Sequence, residues 1–153
     1  MEQWAWLRSF VTPTPLPALP VVLGDGEGEV ARVPAVRHPG TLAAVEGDLV
    51  LTTRRLLFSP LAVHGPAAGI AWSSSPSGAT GGDEALVDAV AGRSPGLFHP
   101  PTLHLTGASG ARTELGVLSG RKTPNFAGAN AQARDDFLAV LGIHLGRSED
   151  RDR

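Results

Sequence analysis

The sequence predicts an α+β domain: a mainly antiparallel β barrel or split sandwich closed by a C-terminal helix. Three observations carry this. Short apolar runs, several with period-two alternation, are separated by Gly- and Pro-rich turns through residues 30–118. The best helical stripe, Ala133, Phe137, Val140 and Leu141, comes last. The composition, with 19 Gly, 13 Pro and only 5% aromatic residues, favours turns and short strands over long helices. Strands followed by one amphipathic helix suit a small sheet structure whose open end that helix plugs.

Residues 1–20 form an N-terminal segment outside the main domain. In "EQWAWLRSFV", Trp4, Trp6 and Phe10 are candidates for an interface, either with a membrane boundary or with protein. "PTPLPALP" (13–20) reads as an extended connector. The domain proper spans 21–145. It opens on "GDGEGE" (24–29), an acidic turn cluster whose spacing and charge do not suit phosphate. "VARVPAV" (30–36) places Ala31, Val33 and Ala35 on one face, and Pro34 predicts an edge strand. "TLAAV", the turn "EGD" and "LVLT" (41–52) read as a hairpin, with "LLFSPL" (56–61) as the next strand.

An inserted loop and short helix are expected over 62–101. Trp72 is the bulkiest residue of that loop and a further interface candidate. "DEALVDAVAG" (83–92) carries the helix signals: Asp83 as cap, Leu86, Val87 and Val90 on one side, Gly92 at the end. "TLHLT", "GASG" and "ARTELGVL" (102–118) form the clearest hairpin. In "NAQARDDFLAVLG" (130–142), Asn130 is the expected cap and Gly142 the expected stop. The charged tail 146–153 is expected to be disordered.

Function is less legible. The net charge of −2 argues against nucleic acid, which demands a basic face. There is no cysteine, hence no disulfide framework or thiolate zinc site. The five histidines, 38, 64, 99, 104 and 144, show no metal-ligand spacing, and no nucleophile motif accompanies them. Neither a catalytic residue, a metal nor a cofactor is expected. No secretory pattern and no long apolar run is present, so a cytoplasmic location is expected. Lys122 is the single lysine among 13 basic residues, a usage typical of GC-rich bacterial genomes.

One stretch carries a resemblance. "GDLVLTTRRLLFSP" (47–60) is the most apolar part of the chain, yet holds two arginines at its centre. Gly47, Leu51, Thr52, Thr53, Arg54, Arg55, Leu56, Leu57 and Phe58 resemble the GRAM and pleckstrin-homology-like pattern. In that pattern a glycine leads into a strand ending in Leu-Thr, a tight turn carries Asn or Asp and a basic residue, and the next strand begins with a Leu/Ile-Phe pair. The order of elements over residues 25–142 is similar too. The resemblance implies a small pleckstrin-homology-like barrel or split sandwich and a non-enzymatic binding module acting at an anionic membrane surface or on a protein partner. It makes Arg54 and Arg55 the first lipid- or anion-contact candidates, with Arg121 and Lys122 of "SGRKTPNF" (119–126) the second. The other reading of these cations is as solvent-facing turn residues, and the other function is protein–protein interaction or homo-oligomerisation without lipid.

Overall fold

The structure, a computed structural model, describes residues 14–16, 20–40, 43–64, 77–80, 84–97, 99–121 and 123–151. In chain order the strands are β1 (Thr14–Pro15), β2 (Glu29–Gly40), β3 (Ala43–Thr52), β4 (Leu56–His64), β5 (Ser77–Gly78), β6 (Leu86–Ala91), β7 (Thr102–Gly107) and β8 (Arg112–Val117). One helix, α1 (Gly128–Arg151), follows. Six strands are substantial, while β1 and β5 have two residues each. The order across the sheet is β1–β4–β3–β2–β8–β7–β6, with β5 also on β4, and every pairing is antiparallel. The α+β class and the antiparallel sheet agree with the sequence. Among the described residues the sheet is not closed, however: β1 and β5, both on β4, end it on one side, β6 ends it on the other, and the two sides do not pair.

The core follows from alternation. Val33 and Ala35 of β2, Val45, Leu49 and Leu51 of β3, and Leu56, Phe58 and Val63 of β4 are buried on one face. Leu103, Leu105, Leu115 and Val117 continue that face across β7 and β8. The helix lays Phe137 and Leu141 over it, with Ala133, Leu138, Val140 and Leu145 at the margin. Each fully buried Leu or Phe contributes about 1.5–3 kcal/mol.

Several elements differ from the sequence reading, each for a local reason. Pro34 is not on an edge, because β2 pairs with both β3 and β8. It lies just beyond the last β2–β8 register pair, and its carbonyl still accepts from the Leu118 N–H at 2.9 Å. The missing N–H therefore falls where the ladder is already ending.

"EGD" is not a turn. β3 runs straight through it: Glu46 stands opposite Ala62 and Gly47 opposite Pro60, so the extra, bulged residue is Leu61 of β4. Gly47 is required by close approach, since a Cβ there would sit 2.2 Å from the Ser59 carbonyl oxygen.

Residues 86–91 are strand rather than helix. Leu86 stands opposite Gly107 and Asp88 opposite Thr106, so Val87 is an extra, bulged residue. The bulge places the half-buried residues, Leu86 and Ala89, three apart and so mimics a helical period.

The last helix is real but longer. It passes Gly142 and Gly146 without stopping and takes in 146–151, the expected disordered tail. Asn130 lies within its first turn rather than at the cap, fully buried. Its Oδ1 accepts from the Ser119 N–H at 2.8 Å, and its Nδ2 donates to the carbonyls of Pro124 and Asn125. It fastens the helix to the preceding loop.

Candidate functional site

Side chains of the sequence-predicted cations diverge in their attachments. Thr53, Arg54 and Arg55 form the turn between β3 and β4. Thr52, fully buried at the end of β3, builds that turn: its Oγ1 accepts from the N–H groups of Arg54 (3.1 Å) and Arg55 (3.0 Å). The same hydroxyl donates to Glu27 Oε2 at 2.6 Å. Glu27 in turn accepts from Arg55 Nε at 2.9 Å and Nη2 at 3.0 Å, a two-pronged ion pair. Arg55 Nη2 also donates to the Val22 carbonyl, and Arg54 Nη2 to that of Asp25 at 2.6 Å. The acidic "GDGEGE" turn, with Gly26 at φ +75, wraps around the two guanidiniums.

This arrangement holds the Glu27 carboxyl far down, from its ordinary 4.5 to about 2. Hydrogen bonds from Arg55 are the largest cause, followed by Thr52 and the backbone of Gly24. Its side chain is 2% exposed, although that of Arg55 is 46% exposed.

A second cluster lies on the face of β2 and β3 opposite the main core. Asp48, buried, accepts on one oxygen from Arg32 Nη1 at 3.0 Å and from Arg121 Nη2 at 2.9 Å. Arg32 is also paired with Glu29 at 2.7 Å. Arg121 therefore belongs to the Asp48 cluster, while Arg54 and Arg55 belong to the Glu27 turn. Among the described candidates, Arg54 and Arg55 on the one hand and Arg121 on the other do not share one set of contacts.

A third cluster sits on β7 and β8. Glu114 accepts from Arg93 Nη2 at 2.6 Å and meets His104 Nε2 at 2.7 Å. Burial pushes the Glu114 carboxyl up, but the Arg93 and His104 hydrogen bonds outweigh it and the net shift is downward. His104 is exposed between the buried Leu103 and Leu105, as alternation predicts. His99 turns Nδ1 to the Pro100 carbonyl at 3.0 Å. Among the described residues no group of three His, Asp or Glu side chains could hold a metal. No described helix is long and apolar enough to cross a membrane.

Trp4, Trp6, Phe10, Trp72 and Lys122 lie outside the described residues. Exposed apolar side chains occur elsewhere. Val87 and Val90 are on β6, while Leu97 and Phe126 lie on loops joined by the Asn125 Nδ2 to Leu97 carbonyl hydrogen bond. Sequence reasoning missed Glu27, Asp48 and Glu114 as arginine partners, since each pair spans 16 residues or more. Parity was the available signal for one of them, because Arg32 and Asp48 both fall on the polar positions of adjacent strands. The chain matches no family model, no curated protein and no solved structure.

Proposed function

We propose that this domain is a non-enzymatic binding module of the pleckstrin-homology-like, GRAM-type class, and that it recognises protein rather than an anionic lipid. The class is supported by the run of elements the resemblance implies: a basic turn between two apolar strands, a later hairpin, and a final helix over the sheet. The choice of protein rests on one observation. Arg54, Arg55 and Arg121 each donate to an acceptor within the chain, so an incoming phosphate has to displace a carboxylate or a carbonyl already in place.

A second reading keeps the membrane. Phe126, 62% exposed, follows Arg121 and Lys122 in the sequence, and the adjacent Asn125 donates to the carbonyl of Leu97, a second exposed apolar residue. Two cations supply only about 2 kcal/mol toward an anionic leaflet. One aromatic side chain adds about 1.5–3 kcal/mol if fully buried.

Co-sedimentation with phosphatidylserine vesicles at low salt separates the readings. The chain is expected to remain in the supernatant. Salt-sensitive sedimentation that disappears in Lys122→Glu and Phe126→Ser replaces the protein reading with the membrane one.

A further inference from the structure

We infer that β6 is a dimerisation strand, pairing antiparallel with β6 of a second copy about a two-fold axis at Val90. The inference rests on the reading of this domain as a protein-binding module and names the partner.

The two edges of the sheet are treated differently. On β4, β1 pairs at Ala62 and Val63, and β5 at Leu57 and Phe58. On β6, no strand other than β7 pairs among the described residues. Solitary edges are normally guarded by lysine, proline or several charges. "LVDAVA" has only Asp88 and no proline. Its bulge at Val87 blunts one end and leaves 88–91 regular.

The direction of the backbone groups follows from the β7 ladder. The Gly92 N–H donates to the Thr102 carbonyl at 2.8 Å, and Val90 stands opposite His104. The N–H groups at 90 and 92 therefore point toward β7. Those of Ala89 and Ala91, of opposite parity, point away from the sheet.

Two-fold pairing of identical antiparallel strands requires one residue to face its own copy. With Val90 on the axis, Ala89 of each copy meets Ala91 of the other, and both pairs exchange N–H and C=O. Val90 meets Val90 at the close, non-hydrogen-bonded position, where apolar β-branched pairs gain most. Asp88 meets Gly92, so no like charges oppose. An axis at Ala89 sets Asp88 against Val90 on both sides. An axis at Asp88 sets two carboxylates face to face. Val90, 48% exposed in the single chain, packs against its own copy only in the first arrangement.

The chain has no cysteine, so Val90→Cys introduces a sole thiol. At a non-hydrogen-bonded pair the Cα atoms lie about 4.5 Å apart, within disulfide reach. Mild oxidation is expected to convert Val90→Cys almost wholly to a covalent dimer. Ile143→Cys, at a residue of comparable exposure on the helix, is expected to stay mainly monomeric. Ala89→Pro deletes an outward N–H without touching the β7 ladder. It is expected to raise the dimer dissociation constant at least about tenfold in sedimentation velocity, with an unchanged circular dichroism spectrum. A wild-type chain that stays monomeric at about 1 mM, a concentration at which even weak pairs populate, overturns the dimer. So does equal cross-linking of the two cysteine variants. Neither result bears on vesicle sedimentation, which reads the binding-module proposal separately.

Discussion

Arg55 holds its place on the Glu27 carboxylate and Arg54 on the Asp25 carbonyl of the same turn. The sequence shows two arginines within an apolar run and an acidic turn some 28 residues earlier, but nothing in the local pattern joins the two. The structure joins them through Thr52, whose hydroxyl serves the turn and the carboxylate together. This has a pH consequence with a definite sign. The folded-state value for Glu27 lies near 2, below its ordinary 4.5. Between those values the unfolded chain binds a proton that the folded chain does not, so the Glu27 contribution is complete above 4.5 and is lost as pH falls toward 2. Urea midpoints measured from pH 7 down to pH 3 are expected to fall more steeply for the wild type than for Glu27→Gln, which also starts from lower stability at pH 7. Glu84 and Glu114, likewise held down, contribute to both curves, so the difference between them isolates Glu27. Parallel curves would remove the carboxylate from this role.

Regular elements were legible wherever one physical signal dominated. The 102–118 hairpin and the Phe137–Leu141 stripe appear as read, because alternation and helical period are undisturbed there. Three of the departures share a cause: a glycine or a bulge with two structural uses. Gly47 resembles a turn residue, but it lets β3 pass close to Ser59. The bulge at Val87 turns a strand into an apparent helix. Gly142 resembles a stop, yet the helix continues because its apolar stripe runs on to Leu145. That glycine supplies an element-level test. A Cβ at 142 meets nothing within 4 Å and the residue is exposed, so neither packing nor conformation requires glycine there. Gly142→Ala is expected to stabilise the chain by about 1 kcal/mol in urea unfolding, the helix propensity difference alone. A neutral or destabilising result would mean that the helix beyond 142 adds nothing to the folded state. The same ambiguity limited the site: the arginines were found, but their partners lay on other strands.

On the scale of the whole molecule, one continuous open sheet makes stability uneven in a predictable way. β2, β3, β7 and β8 each have strands on both sides, and the Arg121–Asp48 pair ties the turn after β8 to β3 across 73 residues. Their amides are expected to exchange with solvent only through global unfolding, at the rate set by total stability. The two-residue pairings of β1 and β5 have no such support and are expected to open first. β6 divides within a single strand. The Val90 N–H faces β7 and is expected to be protected at every concentration. The N–H groups of Ala89 and Ala91 face outward, so they are expected to exchange rapidly in dilute protein and slow as the concentration rises. Residue-resolved hydrogen exchange at two concentrations therefore reads the local fold and the assembly in one measurement. If Val90 exchanges as fast as Ala89, the β6–β7 register is wrong. If Ala89 and Ala91 exchange equally fast at both concentrations while Val90 is protected, the strand is correctly placed and its outer edge is not where two copies meet.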